Sequence, residues 1–296
     1  MNSEKLLPAS VLILGCGDLG QRLAERLPED RYRVVGVRRS PPADTPSLTY
    51  RRSDLSQPDA LRQLLAEPAD IIVITMTPDE RSDAGYRRAY VDTCMQLVSA
   101  LKAQQQSPIL LLFVSSTGVY GQQDGSWVDE TSPTQPESFS GQRLLEAEAI
   151  IREGGFPHCI VRFSGIYGPG RTRLIEQVRQ GRAVLSAAFT NRIHADDCAG
   201  VLAHLVDKAC RGDEWESLYL ATDSTPAPMA EVVNWLAMQL KVDRAVFAPD
   251  QIDSERGNKR CANQRLLNSG YRLRYPGYQQ GYSVLLGLPD AAADAH

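Results

Sequence analysis

Val11-Leu12-Ile13-Leu14-Gly15-Cys16-Gly17-Asp18-Leu19-Gly20 is the stretch that decides the fold. A short apolar run ending in glycine suits a buried parallel strand. Leu19, Leu23 and Leu27 then recur at i, i+4 and i+8, which predicts a helix from Asp18 to about Pro28. Between them stands a GxGxxG loop whose glycines have separate jobs. Gly15 makes the tight turn, Gly17 lets backbone approach a pyrophosphate, and Gly20 lets helix lie on strand. The helix start offers N–H groups and a partial positive charge to the phosphates. Gly15, Cys16, Gly17, Asp18, Leu19 and Gly20 are therefore cofactor-binding candidates. The competing reading is a tight turn that holds no ligand.

Outward from this loop, apolar runs alternate with helical patterns. Arg33–Val37 reads as a second strand, Leu48–Arg52 as a third, Ile71–Met76 as a fourth, Ile109–Ser115 as a fifth and His158–Phe163 as a sixth. Ser56, with Pro58 and Asp59 behind it, is placed to open a short helix by capping. Helices are expected over Tyr86–Gln105 and Ser140–Arg152, and later over Ala195–Cys210 and Met229–Leu240. Strand–helix alternation predicts a Rossmann-type α/β fold, a doubly wound parallel sheet with ligands at the carboxyl ends of its strands. After Phe163 the alternation stops at a glycine- and proline-rich loop, Gly165–Arg171. Residues 1–165 are read as the dinucleotide-binding domain, rejoined by 195–225. Residues 166–194 and 226–296 are read as a smaller substrate lobe.

The second strand names the cofactor. A carboxylate at its end binds the ribose 2′-hydroxyl of NAD, whereas arginine accommodates the 2′-phosphate of NADP. Here it ends in Arg38 and Arg39 with no carboxylate. NADP is therefore expected, with NAD as the alternative, unless the two arginines are solvated surface charges. Asp54, after the third strand, either meets the adenine amino group or belongs to the helix cap near Ser56. Thr75 and Ser115, near the ends of the fourth and fifth strands, complete the cofactor candidates.

Composition excludes several classes. A net charge of −4 gives no general attraction to nucleic acid or an anionic membrane. No apolar run approaches the ~18 residues of a membrane span, and the N-terminus shows no signal-peptide core. The 6 cysteines, at 16, 94, 159, 198, 210 and 261, form no CxxC pair and no metal spacing. The expectation is a reduced, cytoplasmic protein with a small-molecule substrate. The helices Tyr86–Gln105 and Ser140–Arg152 either build a homodimer bundle or simply cover the sheet.

Four motifs then fall in a telling order: the glycine loop, Ser115-Ser-Thr-Gly-Val-Tyr-Gly121, Arg162-Phe-Ser-Gly-Ile-Tyr-Gly-Pro-Gly-Arg171 and Arg192-Ile-His-Ala-Asp-Asp197. Together they resemble the extended short-chain dehydrogenases/reductases, the NAD-dependent epimerase/dehydratase family. Ser140–Glu148 and the tail Asn258–Pro276 are similar to the atypical YeeZ-like branch. The resemblance implies a Tyr-xxx-Lys pair, the tyrosine as acid/base and the lysine on the nicotinamide ribose, with an upstream Ser or Thr on the substrate oxygen. The upstream residue maps onto Ser116, with Thr117 as neighbouring substitute. The tyrosine and lysine positions fall on Phe139 and Arg143. Phenylalanine has no proton to exchange. Arg143 keeps the charge and could still bind a ribose hydroxyl or phosphate. Tyr120 is expected to pack structurally, and His158 and His204 likewise. Tyr167, Arg192 and His194 are substrate-contact candidates, with helix capping by Asp196 or Asp197 the plainer account of the last motif.

Two functions from different classes follow. One is an NADP-dependent oxidoreductase or epimerase/dehydratase-like enzyme acting on a hydroxyl or carbonyl group. The other is a non-catalytic NADP(H)-binding redox sensor, since a missing tyrosine fits that reading too.

Overall fold

The computed structural model describes residues 8–248 and 257–289. Its strands are β1 (Ala9–Leu14), β2 (Tyr32–Arg38), β3 (Thr49–Arg52), β4 (Ile71–Ile74), β5 (Leu110–Ser116), β6 (Ser126–Val128), β7 (His158–Phe163), β8 (Gly165–Tyr167), β9 (Phe189–Thr190), β10 (Arg192–His194), β11 (Leu218–Ala221), β12 (Ala227–Pro228) and β13 (Lys259–Cys261). Its α-helices are α1 (Asp18–Ala24), α2 (Ala60–Leu64), α3 (Asp83–Tyr86), α4 (Thr93–Ala103), α5 (Phe139–Glu153), α6 (Arg173–Arg179), α7 (Ala195–Arg211), α8 (Met229–Leu240), α9 (Gln264–Asn268) and α10 (Tyr278–Leu286).

Seven strands form one sheet in the order β11-β7-β5-β4-β1-β2-β3, and the ladders between β5 and β3 are parallel. The chain runs outward from β1 to β2 and β3, then returns to the other side of β1 as β4. That reversal leaves a crevice at the carboxyl ends of β1 and β4, where ligands bind in open α/β sheets. Val11, Leu12, Ile13, Leu14 and all four residues of β4 are buried, as a sheet covered on both faces requires.

The chain divides into two compact units. The first comprises the described residues up to Val119, with Pro136–Arg162 and Ala199–Tyr219. The second comprises Tyr120–Gln135, Phe163–Cys198 and the described residues from Leu220 onward. Residues 120–135, placed by the sequence reading in the first domain, group with the second unit. They supply β6, whose ladder partner β13 comes from the far end of the chain, a pairing that no local pattern announces. The core of the second unit is built from α6, α8 and α10, with Val178, Val233, Leu236 and Tyr282 among its buried residues.

Several boundaries differ from the sequence expectation. α1 stops at Ala24, and Arg26 and Leu27 continue in three-residue turns through N–H bonds to Leu23 and Ala24. Pro28 disfavours helical backbone at the residue before it, which tightens this end. Ser56 does not open α2. Its N–H (3.1 Å) and hydroxyl (2.8 Å) both donate to Asp54 Oδ1, and the residue preceding α2 is Asp59, which makes no side-chain cap. The single helix expected over Tyr86–Gln105 is three segments: α3, a π-helical stretch at Arg87–Asp92, and α4. Ser82 caps α3 by accepting from Gly85 N–H at 3.0 Å.

The tightest polar construction in the first unit lies between sheet and α5. Arg162 of β7 donates to both oxygens of Glu148, Nε to Oε1 at 2.9 Å and Nη2 to Oε2 at 2.6 Å. Ser115 donates its hydroxyl to Oε1 at 2.6 Å. Glu148 is 0% exposed and Arg162 3%. A charge pair that far from water is tolerable only with its lone pairs satisfied in this way.

Candidate functional site

The glycine loop is held open by backbone geometry. Gly15 sits at φ +76°, and a Cβ there would stand 2.8 Å from the Met76 Cα. No side chain fits without moving the backbone after β4. Gly15 N–H and Cys16 N–H donate to the Val37 carbonyl at 3.1 and 2.9 Å, and Thr75 N–H donates to Leu14 O at 2.9 Å. A Cβ on Gly17 would find nothing closer than 3.9 Å, so its approach is clear. On Gly20 a Cβ would strike Cys16 Sγ at 2.8 Å and Ile13 at 3.1 Å. Glycine is thus what lets α1 lie on β1.

Cys16 contributes backbone rather than thiol. Its side chain is fully buried between Gly20 and Gly36, and burial pushes the thiol up to about 11. Asp18 is exposed and accepts from Arg22 at 2.8 Å within α1. Leu19 and Gly20 complete the helix's first turn, whose amides and dipole favour an anion.

Beside the loop opens a cavity of about 620 Å³, lined by Gly15, Gly17, Arg38, Arg39, Asp54 and Asp79 among others. Its volume falls in the range of small-molecule sites. Arg38, ending β2, is half-buried, and its charge is felt at Cys16 and Tyr50. The Tyr50 hydroxyl accepts from Gln21 Nε2 of α1 at 2.7 Å. Arg39 is exposed and forks onto Asp79, Nη1 donating to Oδ2 at 2.8 Å and Nη2 to Oδ1. Asp54 is held below its ordinary carboxyl value chiefly by the Ser56 hydroxyl. The donor set suits an adenine dinucleotide: a glycine cradle that a Cβ would fill, a helix start and two guanidinium groups on one wall.

Two expected cofactor contacts have other employment. The Thr75 hydroxyl donates to the Leu14 and Gly15 carbonyls at 3.3 and 3.1 Å, so it straps the loop from behind. Ser115 belongs to the buried Glu148–Arg162 network. Ser116 differs: its Oγ accepts from Gly118 N–H at 3.0 Å, which leaves the hydroxyl proton for another acceptor. Thr117 is buried in the turn that follows. A Cβ on Gly141 would lie 2.6 Å from the Gly118 carbonyl, so this glycine brings the start of α5 against that turn.

Phe139 is the first residue of α5, and Ser138 caps it by accepting from Gly141 N–H at 3.2 Å. Arg143, one turn on, is fully engaged. Nε and Nη2 donate to the two oxygens of Asp83 at 2.8 and 2.9 Å, and Nη1 to Glu146 at 2.7 Å. Its expected role toward a ribose would need those partners displaced. Sequence reading missed the neighbour of Phe139. The ring of Tyr86 meets it edge-on, centroids 5.5 Å apart, and continues through Tyr90 at 5.6 Å to Phe113 at 6.3 Å. A helix-face pattern in one segment cannot show an aromatic contact across 53 residues of chain.

Tyr167, Arg192 and His194 come together in the second unit, where β8 and β10 pair and His194 stands opposite Tyr167. Their side chains are buried, and none lines the 620 Å³ cavity. The Tyr167 and His194 rings meet at 5.3 Å. His194 Nδ1 accepts from Asp196 N–H at 3.1 Å. Arg192 donates to Thr190 at 2.7 Å and lies over the Tyr278 ring. Asp197 holds the chain near the C-terminal helix, accepting from Arg274 N–H at 2.7 Å and Tyr275 N–H at 2.9 Å.

Nearby, Asp223 is pushed up to about 7 by burial, against the pull of Arg192. The folded carboxyl then binds its proton more tightly than the unfolded one. The resulting stability is complete below about pH 4 and is lost as pH rises through about 7. Asp223→Asn is expected to remove that slope and to stabilise the protein by on the order of 2 kcal/mol at pH 8. Urea denaturation of both proteins at pH 5 and pH 8 measures the difference.

Among the described residues no helix is long and apolar enough to cross a membrane, and no cluster of metal-ligating side chains occurs.

Among curated proteins none matches the chain in sequence. Solved structures do. A protein from Methylobacillus flagellatus assigned as an NAD-dependent epimerase/dehydratase is 37% identical, with 95% of this chain and 98% of that one covered at a TM-score of 0.80. MoeE5, solved with UDP-glucose and NAD, shares 23% identity over 94% of this chain and 98% of its own at a TM-score of 0.75. DesIV, a dTDP-glucose 4,6-dehydratase from Streptomyces venezuelae solved with NAD and TYD, shares 18% over 94% and 96% at 0.77. These last two establish likeness of fold. The family model for NAD dependent epimerases/dehydratases matches residues 11–218, from the first residue of the glycine-loop strand motif to the start of β11. The chain belongs to the NAD dependent epimerase/dehydratase family.

Proposed function

We propose that this chain is a cytoplasmic NAD(P)-dependent enzyme of the oxidoreductase or epimerase/dehydratase type, with NADP favoured, acting on a small substrate through a hydroxyl or carbonyl group. The observation that carries the reading is the cradle at Gly15, closed to any side chain by Met76 and facing a cavity walled by Arg38 and Arg39. Gly15 to Gly20 bind the diphosphate, and Arg38 and Arg39 take the 2′-phosphate. Asp54 faces the adenosine end. The bound nucleotide supplies hydride exchange. Six free thiols, five of them buried, support a reducing compartment.

On the substrate side Ser116 is the donor. Its Oγ is fixed by Gly118 N–H, so the hydroxyl proton can be given to a substrate oxygen and steady negative charge there. For proton transfer we put forward Tyr86, the phenol beside Phe139. Tyr86→Phe is expected to slow single-turnover NADPH oxidation across a carbonyl panel by about 10²–10⁴-fold, the worth of a positioned acid/base. NADPH affinity should hold within about twofold, because Tyr86 is not among the residues lining the cavity beside the glycine loop. Turnover unaffected by the change would remove Tyr86 from the mechanism.

The cofactor preference has its own test. The Arg38→Ala/Arg39→Ala pair is expected to narrow the NADPH-over-NADH preference by ~1–3 kcal/mol, the size of charge-assisted hydrogen bonds. Fluorescence titration with both nucleotides reads it, and an unchanged preference contradicts the NADP assignment.

One observation favours a second reading. Phe139 has no ionisable group, and Arg143 is tied to Asp83 and Glu146. A redox sensor that holds NADP(H) without turning it over would keep the cradle and lose that pair. Tight NADPH binding with no hydride loss over the whole panel selects it.

A further inference from the structure

Arg39 and Asp79 stand on the wall of the same cavity and grip each other in two-pronged fashion. Arg39 follows β2, and Asp79 lies in the loop after β4, so the pair joins the outer and inner sides of the crevice. It is solvated: the side chains are 58% and 63% exposed. An exposed ion pair is weak, whereas guanidinium grips phosphate through the same fork with two charge-assisted bonds. Asp79 thus occupies, with a carboxylate, the seat in which Arg39 could receive a phosphate. Asp54, the other carboxylate on this wall, is spent on Ser56, and Glu80, next to Asp79, is spent on Arg88 at 2.7 Å.

We propose that Asp79 is a specificity-determining residue, an internal competitor that holds Arg39 and so weakens selection for a dinucleotide carrying a 2′-phosphate over one that does not. This rests on the reading of the cavity as the adenosine end of a dinucleotide site. The 2′-phosphate must displace Asp79 from the Arg39 guanidinium before it can take the same fork. A ribose bearing only a 2′-hydroxyl leaves the pair intact. Asp79 therefore taxes NADPH and not NADH, and keeps both usable.

The test is a binding measurement that needs no substrate. NADPH and NADH are titrated into the wild-type protein, Asp79→Ala, Arg39→Ala and the double variant, with 2′,5′-ADP and 5′-ADP as fragments lacking nicotinamide. Asp79→Ala is expected to tighten NADPH and 2′,5′-ADP about three- to fivefold, the upper range for a weak surface pair. NADH and 5′-ADP should not tighten. In the Arg39→Ala background the same change should leave the NADPH-to-NADH ratio within about twofold, since a coupled pair has nothing to lose once one partner is gone. Asparagine at position 79, which keeps shape without charge, should follow alanine in direction. Binding of both nucleotides with an unchanged ratio in Asp79→Ala overturns the proposal alone, as does the same widening when Arg39 is absent. A wild-type protein silent to all four nucleotides overturns the reading of the site and this inference with it.

Discussion

Gly15→Ala is expected to abolish measurable dinucleotide binding and to destabilise the protein by on the order of 2 kcal/mol or more. Two costs add. The residue is held at φ +76°, where a side chain is strained by roughly 1–3 kcal/mol. The new methyl would also sit 2.8 Å from the Met76 Cα and 3.0 Å from its nitrogen, contacts no rotamer can relieve. Relief requires either the loop or the chain after β4 to move. The loop is fixed by two bonds to the Val37 carbonyl, so the displacement falls on the wall of the cavity itself. Calorimetric titration and thermal melting of the same sample separate the two effects. Full nucleotide affinity in this variant would mean the turn is not the phosphate seat.

Arg162→Met is expected to cost about 3–5 kcal/mol of stability. It leaves the Glu148 carboxylate, 0% exposed, without its bidentate partner. Of its remaining neighbours the Ser115 hydroxyl is one neutral donor at 2.6 Å, and Arg152 stands 3.6 Å away with its side chain half exposed. Neither replaces a guanidinium fork. The paired change Arg162→Met/Glu148→Met removes both charges and should recover much of the loss, because two apolar groups of similar size leave only the neutral Ser115 hydroxyl without its acceptor. Urea denaturation of wild type and the three variants completes the cycle. If the double variant were as unstable as the single one, the cost would lie in packing rather than in the orphaned charge.

The β1 turn and α1 were legible because every signal there is local. The apolar run, the three glycines and the leucine spacing lie within 17 residues, Val11 to Leu27, and together they read as strand, turn and helix. The start of α5 was legible for the same reason. What sequence could not supply was the partner of a polar side chain. A serine at a strand end looks alike whether its hydroxyl faces a ligand or, as at Ser115, a carboxylate 33 residues away. Thr75 is the same case, spent on carbonyls 60 and 61 residues back. Arg143 reads as a free cation until Asp83, 60 residues earlier, takes its fork. Tyr167, Arg192 and His194, read from the sequence as substrate contacts, are buried through a β8–β10 ribbon that neither segment predicts alone. Family resemblance located Ser116 and Phe139, and only the fold showed Tyr86 beside the latter.

Isothermal titration of NADPH and NADH into the purified protein asks whether the cavity beside the glycine loop receives an adenine dinucleotide. One nucleotide per chain is expected, NADPH bound more tightly than NADH, with the heat lost in Gly15→Ala. No binding of either nucleotide at millimolar concentration by a folded protein would contradict it.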